Sequence, residues 1–145
     1  MSQANAALST HARYEQCRFL FIINGFGLGN AVRCHGIIQE LRAQGASVDI
    51  ATANNGLWYF QHHTDWQGLH ELDALHYAAN PQGELSVAGT VKNFFKYSKI
   101  LYKNAQRLRH LLTRVKPHVI VTDSDYSSTL VRHRGIPVVA INNAN

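Results

Sequence analysis

Residues Arg18 to Gly45 read RFLFIINGFGLGNAVRCHGIIQELRAQG, and this stretch decides the fold. Phe19 to Ile23 is an unbroken apolar run, without the alternation of a strand that has one wet face. Such a run suits a strand buried on both sides, as in a parallel sheet covered by helices. The chain then enters a glycine loop, Asn24 to Asn30, and resumes with helical periodicity through Leu41 until Gly45 stops it. Gly25, Gly27 and Gly29 let backbone amides come close to a ligand, because no Cβ intervenes. Asn30 is placed to cap the helix. The helix start offers unpaired N–H groups and the positive end of a dipole to an anion. Gly25, Gly27, Leu28, Gly29 and Asn30 are therefore the candidate phosphate or substrate contacts, and Arg33, on the first helical turn, is a candidate that is either solvated or turned to the crevice.

Outward from this unit, Ser47 to Thr52 (SVDIAT) reads as a second strand and completes a βαβ unit. A right-handed crossover makes the two strands parallel neighbours. Leu57 to His63 reads as a short amphipathic helix, with Trp58, Tyr59 and Phe60 as packing residues or a sugar-stacking platform. Leu69 to Leu75 (LHELDAL) is a candidate third strand, and His76 to Gly89 a loop. Val91 to Val115 is the longest periodic segment, with one apolar face for the sheet, and Pro117 ends it. His118 to Thr122 (HVIVT) is another buried strand, followed by the polar segment Asp123 to Ser128, which can cap a helix running towards Gly135. Val138 to Ile141 is the last strand.

Strands alternate with helices throughout, which predicts an α/β, doubly wound, mainly parallel sheet with helices on both faces. In the strand order 3-2-1-4-5 the first strand lies beside the fourth, and a ligand crevice opens where the connections leave on opposite faces. The glycine loop then faces Thr122 to Ser128, with Asn142 and Asn143 one strand further along. Asp123 and Asp125 are the candidate catalytic carboxylates, while Asn142 and Asn143 join the candidate binding residues.

The length of 145 residues and 46% hydrophobic content suit one soluble domain, residues 17–145, behind a flexible N-terminal extension, residues 1–16. No apolar stretch approaches the roughly 18 residues of a membrane span, and the N-terminus lacks the apolar centre of a signal peptide. A cytoplasmic protein is expected. Cys17 and Cys34 have no metal-ligand spacing and read as reduced thiols, and the histidines form no metal motif. The net charge of +5 is unevenly placed: no acid lies between Glu84 and Asp123, where Lys92, Lys96, Lys99, Lys103, Arg107, Arg109, Arg114 and Lys116 fall. This basic helix, within 91–116, is either a solvated face or a site for an anionic partner, such as a phosphate-bearing substrate or the inner membrane surface. No nucleic-acid partner is expected.

Several ligand classes drop out. Counting G-x-G-x-x-G from Gly25 puts Asn30 at the last position, and counting from Gly27 puts Val32 there. The second strand also ends without an acid for a ribose, so a dinucleotide is disfavoured. No lysine follows the glycines as a P-loop requires, and no G-x-S-x-G elbow is present.

The string Gly25-Phe-Gly-Leu-Gly-Asn-Ala-Val-Arg33, with its helix ending in Glu40-Leu-Arg-Ala-Gln-Gly45, resembles the first βα unit of glycosyltransferases with the two-domain GT-B fold. It is most similar to those with a G-x-G-x-G-H-x-x-R loop, and more distantly to the lipid II N-acetylglucosaminyltransferases. Lys116-Pro-His-Val-Ile-Val-Thr-Asp123 and Gly135-Ile-Pro-Val-Val139 resemble the later KPDVVISD and GIPVV strands of that family, so the likeness runs from Arg18 to Asn143. It implies an acceptor-side N-terminal domain, a nucleotide-sugar donor such as a UDP-sugar as substrate, and no other cofactor. The family's donor domain follows this one, so the resemblance implies that the chain acts with a C-terminal donor domain or a partner chain and does not turn over alone.

Asn30-Ala-Val-Arg-Cys34 also resembles the loop of a nucleotide-sugar hydrolase of pseudaminic acid synthesis, which keeps hydrolysis as an alternative, beside a binding domain without chemistry. Relatives carry histidine where this chain has Asn30, and asparagine cannot take a proton near neutral pH. His35 stands roughly 140° further round the helix and does not replace it. Asp123 or Asp125 is the better placed base.

Overall fold

The computed structural model describes residues 13–64, 66–74, 94–125, 127–131 and 135–141. Its elements are β1 (Arg18–Ile23), α1 (Leu28–Ala43), β2 (Ser47–Thr52), α2 (Asn54–His63), β3 (Leu69–Glu71), α3 (Phe94–Val115), β4 (Val119–Asp123), a short 3-10 turn (Ser127–Leu130) and β5 (Val138–Ile141). The sheet order is β3-β2-β1-β4-β5 and every pairing is parallel. This is the order expected from the pattern.

The apolar run of β1 is buried from Phe19 through Ile23 because alternate side chains enter different layers. Phe19, Phe21 and Ile23 join Ala31, Cys34 and Ile38 of α1 and Phe60 of α2 on one face. Leu20 and Ile22 meet Ala105, Leu108 and Leu111 of α3 on the other. Each fully buried side chain of this size contributes about 1.5–3 kcal/mol, so β1 anchors both layers.

Helix α1 ends where expected. Gly45 adopts φ +88, a left-handed conformation that glycine takes without a Cβ penalty. Its N–H donates to Arg42 O at 2.9 Å, and Ala46 N–H to Leu41 O at 3.0 Å, which satisfies the last turn.

Several boundaries differ from the sequence reading. β3 keeps only Leu69–Glu71, and α3 is described from Phe94. Part of the expected extension belongs to the domain: Tyr14 stacks edge-on against Phe19 at 5.9 Å and its N–H donates to Gln44 O. Residues 1–12, the loop 76–89, Asn142 and Asn143 lie outside the described residues.

Candidate functional site

Parallel register sets the site. Ile23 of β1 pairs with Thr52 of β2 on one side and with Asp123 of β4 on the other. The glycine loop, the Ala53–Asn54 corner and the Ser124–Asp125 corner therefore leave the sheet at one level. They line a crevice with Ile23, Leu72, Asp73 and, from α3, Asn104.

Asn24 fastens the loop to its neighbour. Its backbone N–H donates to Asp123 O and its side-chain Nδ2 donates to Ser124 O, each at 2.9 Å. Its Oδ1 accepts from Phe26 N–H at 2.9 Å, an Asx turn that bends the chain into the glycines. Gly25 is required by the fold itself, since a Cβ there would overlap the Ala53 carbonyl. A Cβ at Gly27 or Gly29 would meet nothing within 4 Å. Gly27 is extended, at φ −158, so neither packing nor backbone strain demands a glycine there.

Helix α1 begins at Leu28, capped by Gly27 without any side-chain cap bond. The expectation that Asn30 caps the helix is thereby corrected. Asn30 lies in the first turn, where its Nδ2 donates to Asn24 O at 3.4 Å and its Oδ1 accepts from Arg33 Nη2 at 3.1 Å. The first amides of α1 carry no side-chain cap and keep the partial positive charge of a helix start.

Arg33 reaches across to the end of β4. Its Nη2 lies 2.7 Å from both Asp123 oxygens, and its Nε donates to Oδ2 at 3.1 Å. Asp123 is fully buried, and it also accepts from Cys34 Sγ at 3.4 Å and Ser124 Oγ at 3.2 Å. A carboxylate offers about four lone-pair sites, and these donors fill them. Asp123 thus ties the first helix to the end of β4 through bonds made inside the chain. Burial pushes the Cys34 thiol up to about 12, which keeps it a neutral S–H donor to this carboxylate.

Asp125 is different. Burial raises its pKa, opposed by its bonds to Ser127 and to the Ser127 and Ser128 backbone. Oδ2 accepts from Ser127 Oγ at 2.7 Å and Ser128 N–H at 2.9 Å, and Oδ1 shares the Ser127 hydroxyl at 2.9 Å. A carboxylate of raised pKa that lines a crevice is a candidate base. Beside it Ser124 sits at φ +54, and across the crevice Asn54 sits at φ +45, both in a region side chains adopt at a cost of about 1 kcal/mol or more.

Two further residues escaped the sequence reading. Asn104, buried within α3, grips the backbone of Asp73: its Oδ1 accepts from Asp73 N–H and its Nδ2 donates to Asp73 O. Asp73 in turn pairs with Arg107 at 2.7 Å and Lys103 at 3.2 Å. The signal was an amide within the apolar stripe of α3. His35 turns away from the crevice as expected, bonded to the Tyr59 hydroxyl at 2.8 Å, and Phe60 is core while Trp58 is exposed beside His62.

Solved structures share this fold. MurG from Acinetobacter baumannii matches with TM-score 0.60 at 12% identity, over 87% of this chain and 35% of its own. The glycosyltransferase SsfS6 from Streptomyces sp. SF2575 matches with TM-score 0.54 at 20% identity, over 87% and 39%. UGT73P12 from Glycyrrhiza uralensis, complexed with glycyrrhetinic acid 3-O-monoglucuronide, matches with TM-score 0.51 at 18% identity, over 87% and 28%. The chain thus spans well under half the length of these three proteins. Among curated protein sequences, none matches it. The fold is that of the N-terminal domain of a GT-B glycosyltransferase, distantly similar to MurG. The profile of glycosyl transferase family 1 matches residues 17–145, and the chain belongs to that family.

Proposed function

We propose that this chain is the acceptor-side half of an enzyme that moves a sugar from a nucleotide-sugar donor, such as a UDP-sugar, to an acceptor hydroxyl. The observation that carries this is an open glycine loop and an uncapped helix start after β1, at the same end of the sheet as a crevice lined by Asn24, Gly25 and Asp125. The acceptor lies in the crevice and Asp125 takes its hydroxyl proton. The oxygen attacks the anomeric carbon, whose bond to the donor phosphate breaks. Charge gathering on the leaving phosphate meets the amides of Gly27 to Asn30 and the dipole of α1. The Arg33–Asp123 pair touches no reacting atom and holds the loop in register. A donor-binding domain, on the same polypeptide or on a partner chain, completes the site.

The test is to supply a labelled UDP-sugar to the chain together with its complementing domain and to separate the products. Labelled acceptor supports transfer. Labelled free sugar with no acceptor product assigns hydrolysis instead. Binding without release of UDP assigns a domain without chemistry, a reading that Asn30 favours because both its polar groups are engaged inside the chain.

A further inference from the structure

Leu69, His70 and Glu71 form an outermost strand, because the order β3-β2-β1-β4-β5 gives β3 a neighbour on one side alone. Parallel pairing turns the main-chain groups of alternate residues towards that neighbour. Ile50 N–H donates to Gly68 O at 2.7 Å and Leu72 N–H donates to Thr52 O at 2.8 Å, with Leu69 opposite Ile50 and Glu71 opposite Thr52. The main-chain groups of Leu69 and Glu71 therefore point outwards, away from β2. Glu71 O lies 3.5 Å from Arg107 Nη1, and no described strand pairs with this edge. An unpaired strand edge is a template for another chain.

One face of α3 walls this edge. Arg107, His110, Leu111 and Arg114 recur at helical spacing and line a groove with Leu69, His70, Glu71 and Leu72. Leu111 is buried, whereas Arg107, His110 and Arg114 are exposed. Arg114 is aimed across the strand: its Nη2 lies 3.0 Å from His70 Nδ1, and His70 Nε2 lies 2.7 Å from Asp49 Oδ1. A guanidinium can only donate, so Nδ1 accepts and the Nε2–H faces Asp49. Asp49 thus meets Arg114 through a ring, and no described acid pairs with Arg114 directly. Arg107 is held by Asp73 through Nη1 and keeps further N–H donors. Glu71 shares the face of Leu69, which packs with the α1–α2 cluster, whereas Leu72 packs under α3. The side chains on the α3 side of the groove are consequently cationic.

That charge selects the occupant. A second copy would bring the same arginines against these, and like charge opposes edge-to-edge pairing of identical chains. We infer that the β3 edge takes an extended acidic segment of a partner protein as an added strand. Leu69 and Glu71 supply main-chain bonds, while Arg107, His110 and Arg114 meet carboxylates on alternate residues of the segment, which share one face of an extended chain. The inference does not rest on glycosyl transfer.

Fluorescence anisotropy of the 145-residue chain tests it, with a labelled peptide of about eight residues in which glutamate alternates with valine. The peptide binds, rising salt weakens it, and hydrogen exchange slows at the Leu69 and Glu71 amides. Arg114→Gln lowers the affinity about fivefold, the scale of one exposed ion pair, and leaves thermal melting unchanged because the side chain is exposed. N-methylation of alternate peptide residues abolishes binding without altering charge, and so does lysine in place of glutamate. No binding of the acidic peptide, equal binding of its N-methylated form, or full affinity in Arg114→Gln overturns the inference. Exchange at Leu69 and Glu71 that slows with rising concentration of the chain alone assigns the edge to a second copy and overturns it as well.

Discussion

Arg33 and Asp123 stand 90 positions apart in sequence, yet the guanidinium lies 2.7 Å from both carboxylate oxygens. The side chain of Asp123 is fully buried and that of Arg33 is 29% exposed. The pair joins the helix that follows β1 to the end of β4.

Removing one partner costs more than the pair is worth. Arg33→Ala leaves a buried carboxylate uncompensated, and a loss of about 3 kcal/mol or more is expected in urea unfolding. Arg33→Met combined with Asp123→Asn recovers much of that loss, because no lone charge remains. A single-variant loss below about 1 kcal/mol would place the pair with weak surface ion pairs.

The glycines separate fold from function. Gly25→Ala drives a methyl into the Ala53 carbonyl and destabilises the domain, whereas Gly27→Ala has open space. Gly29 lies in the first turn of α1, where alanine is a better helix former by up to about 1 kcal/mol, so Gly29→Ala raises the melting temperature. Both Gly27→Ala and Gly29→Ala weaken nucleotide-sugar use if the loop amides approach the donor phosphate. Full transfer by both variants would remove the loop from the ligand site.

The sheet was legible because its strands are buried on both faces. Phe19 to Ile23 and Val119 to Thr122 carry no alternation, and the crossover rule then orders them. The same ordering brought the glycine loop to Asp123. What could not be read was the division of labour between two neighbouring carboxylates. Asp123 faces Arg33 and Cys34 on the α1 side, while Asp125 enters the crevice, and this depends on register and not on composition. Asn30 was misread because the helix begins at Leu28, so a residue two places further on cannot cap it. The Asn104–Asp73 clamp is a tertiary contact between an α3 side chain and the backbone after β3, with no local signature beyond a polar residue inside an apolar stripe.

Thiol chemistry tests the packing beneath the loop. Alkylation needs a thiolate, and burial holds the Cys34 thiol neutral up to about 12, so Cys17, which is partly exposed, reacts first in the folded chain. Cys34 has an ordinary value of 9.0 when unfolded and a raised value when folded, so the stability it contributes is present below pH 9.0 and is lost as pH rises towards 12. The stability difference between the parent and Cys34→Ala therefore narrows across that window in denaturant titrations. Rapid double labelling of the folded chain at neutral pH would contradict the buried thiol.

Asp125 carries the sharpest expectation, because its roles in folding and in chemistry run in opposite directions. Its pKa is raised above the ordinary 3.8 by burial, so the protonated form is favoured in the folded state. The stability it contributes is complete below 3.8 and is lost as pH rises through the folded value. Once ionised, the carboxylate sits in a site that disfavours its charge. Asp125→Asn removes that charge while keeping an acceptor for the Ser128 amide, so the variant is as stable as the parent or more so at pH 7. Transfer moves the other way. A base must be ionised, so the acid limb of the rate profile lies above the ordinary carboxylate range and vanishes in the variant, with a rate loss of about 10²–10⁴. A simple structural residue would lose stability and rate together. Unchanged stability with a collapsed rate is the signature expected of a base, and a full rate in Asp125→Asn would take that role away from it.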